Sequence, residues 1–449
     1  MKKNPFPSLL FLFCGLTVLS MNLSALELTV DEAVEMALTQ NLSLKQEKID
    51  RDMKEREADS YWNRFLPDVY AGADLWRTDA YTDDALYSYF YNDLLGTDYF
   101  TQPWFLTAFV DLSLDLSAST ASDIKATRQE FEAGQISFET TSRALERDVR
   151  IQYYGLLIVK ETIGIYEQML ETALQNYDRA RRNFELGNAR KVDMLSYQVN
   201  YESLKPELIE IQNIYETRLL EFKRIIGLAV EDELTLSDRV DPEIRPVDEE
   251  ERLISLGLKN NLELQAIRKQ QEILKTRTNE ASLGTRTPQF GLSYSYTPTL
   301  YDPAESDWQE DWSDSSSQLD LTVTIPLNGF IPHSEMNLIV KNLKDEQEKL
   351  QLFYDDASRQ TCQAMEELIL SINKSVKAIE VHRLSIELAR ENYSIIEESY
   401  NEGAADYLSV QTAQDNLNLA LISEKNELLT YLSSRLYLEY MVNETEEIK

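Results

Sequence analysis

Side chains able to do chemistry are scarce. The 449 residues contain two histidines, His333 and His382, and two cysteines, Cys14 and Cys362. None has the spacing of a zinc motif, and there is no HExxH, no CxxC pair, no Walker loop and no GxGxxG. Carboxylates are abundant, 78 Asp+Glu against 44 Lys+Arg, so acidic pairs arise by chance and none is assigned a catalytic or metal-binding role. Runs such as Glu249-Glu250-Glu251 read as exposed helix starts, where negative charge suits the dipole. This inventory argues against an enzyme and calls for no cofactor. A net charge of −34 also argues against nucleic acid, whose phosphates need an excess of Lys and Arg.

The N-terminus reads as an export signal over residues 1–25: "MKK", the apolar run "FPSLLFLFCGLTVLSM", and the small residue Ala25. Phe13 is too bulky for a lipoprotein signal, so lipidation of Cys14 is not expected. With Cys14 removed, Cys362 has no partner for an intramolecular disulfide. No run of 18 apolar residues follows residue 30, so no transmembrane helix is expected.

Two halves then repeat one order of features, giving units 26–246 and 247–449. "VDEAVEMALTQNLSLKQ" at 30–46 has a counterpart in "VDEEERLISLGLKNNLELQA" at 247–266, with Asn-Leu-x-Leu at Asn41 and Asn261. Each half continues to a proline, Pro67 or Pro288, then to alternating segments, then to a long helix that stops at Gly187 or Gly403.

The alternating segments predict four strands, about 68–76, 104–117, 288–297 and 317–327. Trp104, Leu106, Ala108, Val110, Leu112, Leu114 and Leu116 share one face of the second. Asp111 and Asp115 lie on its other face, as Asp320 does in the fourth. Strands of roughly ten residues can cross a bilayer when tilted, but the smallest transmembrane barrels have about eight. Four strands therefore imply either that several chains share one barrel or that the chain is not in a membrane.

No proline interrupts 118–186 or 333–402. Each stretch predicts a helix of close to 70 residues, roughly 100 Å long, which must pack on neighbours. Shorter helices at about 190–227 and 404–441, with pieces at 30–65 and 248–286, supply the antiparallel return. Leu204, Leu208, Ile211, Tyr215, Leu219, Phe222 and Ile226 step by three or four, a coiled-coil seam, and Pro206 predicts a kink near 202.

These features together resemble the TolC-like outer membrane factors, the outer membrane efflux protein family. The likeness is carried by "LTVDEAVEMALTQNLSL", by Tyr/Phe-x-x-Gly at 184–187 and 400–403, and by "VDMLSYQ" after the first glycine. It implies a mainly α fold with a small membrane β-barrel. Three chains would form a homotrimer whose 12-stranded barrel continues into an α-helical barrel in the periplasm. The function implied is a passive exit duct for efflux or type I secretion in the outer-membrane lipid, joined to a periplasmic adaptor and an inner-membrane transporter. Asp111, Asp115 and Asp320 would face the lumen.

The resemblance also assigns the tips. Gly187, Asn188, Ala189, Gly403, Ala404 and Ala405 would meet the adaptor, although each glycine alone also reads as a left-handed helix cap. Asp193, Tyr400, Glu397 and Asn176 would form the periplasmic gate, with Asn176 as the amide partner of Glu397. Asp193 alone also reads as a helix N-cap. The family's closing Arg is Ala405 here, and its acidic constriction falls on Ser409 and Thr412, so a differently locked gate is expected, using Arg190 or Lys191. The alternative reading is a periplasmic coiled-coil scaffold without a channel. The exported cargo and the class of partner transporter are not written in the sequence.

Overall fold

The computed structural model describes residues 26–77, 104–301, 303, 306–312 and 316–443. The expected export signal at 1–25 and the tyrosine-rich segment 78–103 lie outside the described residues. The chain divides into two compact units. Among the described residues, one unit comprises 26–41, 148–245 and 375–432, and the other 42–147, 246–374 and 433–443.

The first unit opens with β1 (Leu26–Leu28), paired in parallel with β4 (Leu234–Leu236). At three residues each, these strands are too short to show alternation in the sequence. Helix α1 (Val30–Gln40) starts on a reciprocal capping box, Thr29 with Glu32. It ends at Asn41, whose side-chain amide donates to the Ile225 carbonyl at 2.9 Å. Tyr153 is fully buried; its hydroxyl donates to the Leu28 carbonyl at 2.8 Å and accepts from the Asp238 amide at 3.3 Å. Burial pushes this phenol up to about 12. Phe222 and Ile226 fill the core around it.

The second unit carries α2 (Leu42–Asp59), a short 3-10 turn (Tyr61–Phe65), α5 (Glu250–Asn260) and α6 (Leu262–Gly284). Asn261 breaks the last two helices apart, and its side chain caps α6 by accepting from the Leu264 amide at 3.0 Å. The Asn-Leu-x-Leu motifs are thus helix breaks. Buried Met365, Ile369, Ile372, Leu264 and Leu438 form the helical core. Arg277 ties helices together through Asp123 at 2.9 Å and Glu130 at 2.9 Å.

The same unit holds the sheet, in strand order β2 (Asp68–Arg77), β3 (Trp104–Ser117), β5 (Gln289–Thr297), β7 (Ser316–Thr324), all antiparallel. Short β6 (Thr299–Tyr301) pairs with the far end of β3. β7 stops at Thr324, short of the 327 expected from the alternation, because Pro326 has no N–H to donate to a ladder. A 3-10 turn, Leu327–Phe330, follows.

Four long helices complete the chain: α3 (Ser119–Glu185) and α7 (Glu335–Asn401), each of 67 residues, and α4 (Lys191–Ile226) and α8 (Tyr407–Val442), each of 36. Absence of proline and a dense apolar periodicity explain the length of the first pair. Helix α4 runs through Pro206 without an interruption. No helix of the described residues is long and apolar enough to cross a membrane.

Candidate functional site

Two helix-to-helix turns of the first unit, 185–191 and 401–407, repeat one geometry. Gly187 (φ +79°) and Gly403 (φ +78°) both take the left-handed conformation that glycine adopts without penalty. The Asn188 amide donates back to the Asn183 carbonyl at 2.8 Å, and the Ala404 amide to Ser399 at 2.8 Å. These bonds close α3 and α7 with the Schellman pattern. A Cβ at either glycine would meet nothing within 4 Å. Backbone conformation, rather than a crowded neighbour in this chain, requires the glycine. Asn188, Ala404 and both glycines are exposed, while Ala189 and Ala405 are half-buried.

The helices that leave the turns start differently. Arg190 occupies the N-cap of α4 with no side-chain cap, and Asp193 sits in its first turn. Asp193 is therefore not the N-cap. Its carboxylate accepts two bonds from the Arg190 guanidinium, both at 3.0 Å. In the second turn Asp406 precedes α8 and accepts from the Ser409 amide at 2.9 Å and hydroxyl at 2.6 Å. Those bonds hold the Asp406 carboxyl below its ordinary range. The second tip thus has a carboxylate after all, three residues before Ser409; its signal in the sequence is the Asp-x-x-Ser spacing ahead of a helix.

Behind the turns, the other expected gate residues meet, with one exchange of partners. Glu397 on α7 faces Arg179 on α3 at 3.7 Å, and Arg179 also donates to Asn401 at 3.2 Å. Arg179, rather than Asn176, holds Glu397. The two lie three residues apart on α3, on neighbouring positions of one helix face, so a sequence pattern does not separate them. Asn176, Arg179, Tyr197, Glu397 and Tyr400 line one small cavity of about 10 Å³. Tyr197 is buried, with its ring 3.9 Å from Tyr407 and 6.3 Å from Tyr400. Burial, and then Tyr400, pushes its phenol upward. This aromatic cluster joins α4, α7 and α8.

The sheet of the second unit places Asp111, Asp115 and Asp320 on one face, in successive cross-strand rows. Tyr70, Asp111, Ser295 and Gln318 form one row; Asp68, Ser113, Ser293 and Asp320 the next; Asp115, Gly291 and Thr322 a third. Ser295 donates to Asp111 at 2.6 Å. Asp68 and Asp74 share this face, and the sequence signal for them is the same period of two. No Lys or Arg of these strands lies on it. The opposite face is apolar and exposed, Leu319 at 69% and Leu321 at 74%.

Residues 33–228 match the family described as "Outer membrane efflux protein". The chain is 20% identical over 425 residues to "Outer membrane protein TolC" of Salmonella enteritidis, covering 93% of this chain and 82% of that one. Over residues 33–228, and in its relatives, the chain is similar to the outer membrane efflux proteins. It is also 22% identical over 295 residues to "Alkaline protease secretion protein AprF" of Pseudomonas aeruginosa, covering 65% of this chain and 59% of that protein. Among solved structures, the CmeC outer membrane channel of Campylobacter jejuni superposes with a TM-score of 0.74 at 14% identity, over 92% of this chain and 85% of that one. CusC gives a TM-score of 0.74 at 12% identity, over 92% and 91%. The mainly helical fold of this chain resembles that of these channels. Its matched segment, 33–228, includes the first turn, with Gly187, Arg190 and Asp193.

Proposed function

We propose that this chain is one third of a passive exit duct set in the outer membrane and extended through the periplasm. The observation that carries the reading is the sheet: four long antiparallel strands with an exposed apolar face and an acidic opposite face, ending in β2 on one side and β7 on the other. Sheet edges left unpaired are not tolerated in lipid. Joining β7 of one copy to β2 of the next satisfies both edges, and three copies give twelve strands, enough to close a barrel. The apolar face then meets lipid, and Asp68, Asp74, Asp111, Asp115 and Asp320 line the lumen.

The equal lengths of α3 with α7, and of α4 with α8, support reading the chain as two copies of one unit, 26–246 and 247–449, after an export signal at 1–25. Three chains supply six tips around Gly187 and Gly403. These are the docking points for a periplasmic adaptor, which connects the duct to an inner-membrane transporter that chooses the cargo. Asp193, Glu397 and Tyr400 hold the tip closed, Asp193 with Arg190 and Glu397 with Arg179. No catalytic step is proposed.

A strand face with carboxylates and, among the described residues, no Lys or Arg favours cations. Reversal potential across a planar bilayer, measured on purified protein in a KCl gradient, tests this directly. Cation preference is expected, and anion preference contradicts the lumen assignment.

A further inference from the structure

One cavity of about 30 Å³ lies inside the first unit, between α3, α4 and α8. Its lining is mixed: the amides Asn176 from α3, Asn200 from α4, and Gln411, Gln414 and Asn418 from α8, with the Asp415 carboxyl, stand beside apolar Met169, Leu204 and Val410. The Gln414 side-chain nitrogen donates to Asn418 at 3.0 Å. Its carbonyl oxygen is buried and has no hydrogen-bond partner in the protein. Asn418 is itself only 7% exposed.

Buried carbonyls are rarely left unpaired, because desolvation is then uncompensated. Truly empty cavities are apolar, whereas a polar one that exceeds about 10–15 Å³ holds water. This cavity exceeds that volume and holds the unpaired Gln414 carbonyl oxygen among several other polar groups. The neighbouring space of about 10 Å³ beside Glu397 is too small to do so.

We infer that the cavity beside the Gln414 carbonyl is a water-binding site, and that its one or two waters make this layer a soft joint of the tip bundle. Leu204 and Val410, both buried, line the same cavity, so apolar knobs and amides meet in this layer. A seam of interlocked apolar side chains resists sliding, since each must leave its hole. Contacts bridged by water are remade after a small shift, because water re-aims its donors and acceptors. The site lies 11 residues (414 − 403) beyond Gly403, roughly two helical turns into α8. The joint role rests on the reading that the tip opens; the water site does not.

The test pairs a crystal structure of the full chain with the variant Gln414→Met. Density for water within about 3.2 Å of the Gln414 carbonyl oxygen is expected. Gln414→Met is then expected to lower Tm, because the remaining amides lose a bridging partner. An empty cavity, or a Tm that is unchanged or raised in Gln414→Met, overturns the water site. In planar bilayers Gln414→Met, with a drier seam, is expected to open about fivefold less often, the factor one net hydrogen bond sets. Unchanged opening, with the water seen in the wild type, overturns the joint. If the wild-type protein conducts no ions at all, the duct reading fails while the crystallographic result for the site stands.

Discussion

Arg190 and Asp193 form a two-pronged ion pair at the start of α4, with Nε to Oδ2 and Nη2 to Oδ1 both at 3.0 Å. The pair makes the two tips unlike in charge. At the equivalent place in the second tip Asp406 instead accepts from the Ser409 amide and hydroxyl. The guanidinium is 80% exposed, so solvent screens the pair and it adds little to stability. Its value lies in holding the Asp193 carboxylate in one orientation.

Asp193→Ala is expected to leave Tm nearly unchanged and to raise basal conductance, and Arg190→Ala to do the same more weakly. Planar-bilayer recording checks both. Block by trivalent cations that persists undiminished in Asp193→Ala removes the gating role from this residue.

Gly187→Ala and Gly403→Ala each force an L-residue into a left-handed cap at a cost of about 1 kcal/mol. Since the surroundings are open, the loss comes from backbone conformation. Melting curves are expected to shift by a degree or two at most, while adaptor capture by the detergent-solubilised protein falls much further. Equal, small effects on both would assign the glycines a capping role alone.

Two aspartates of the tip respond to pH in opposite senses. Hydrogen bonds from Ser409 lower the pKa of Asp406, so its contribution is present above the ordinary Asp value and is lost as pH falls through the lowered one. Burial raises the pKa of Asp415, so the fold favours its neutral form and loses stability as pH rises through that raised value. Asp415→Asn is expected to raise Tm at pH 7 and to have little effect near pH 4. A Tm gain that is the same at both values contradicts the assignment.

Leu321→Lys and Thr322→Lys probe adjacent positions on opposite faces of β7. With the apolar face in lipid, the first costs about 2–4 kcal/mol near the bilayer midplane and is expected to deplete assembled protein in outer-membrane fractions. The second points to the lumen and is expected to assemble normally with weaker cation preference. Equal tolerance of both would favour the soluble scaffold.

Most of the architecture is legible in the sequence because each element has a strong local period. The four-strand alternation and the proline-free runs mark β2, β3, β5, β7, α3 and α7 directly. Pro326 also marks the true end of β7, yet the apolar alternation of Ile325 and Leu327 runs past it and hides the stop. What stays hidden depends on packing. β1 and β4 are too short for a pattern, and their parallel pairing joins residues 208 positions apart (234 − 26). Choosing Arg179 over Asn176 as the partner of Glu397 is a matter of side-chain reach on one helix face. The amide layer at Asn176, Asn200 and Gln414 draws on three helices, and nothing at any one of those positions announces the others.

The central claim is that three copies close one barrel around a conducting lumen. Purified full-length protein from the outer-membrane fraction, run unheated and heated on denaturing gels and then reconstituted in planar bilayers, tests it most directly. The expected result is a heat-sensitive trimer whose single channels conduct and prefer cations. A monomer recovered from the soluble periplasmic fraction, with no conductance after reconstitution, would contradict it.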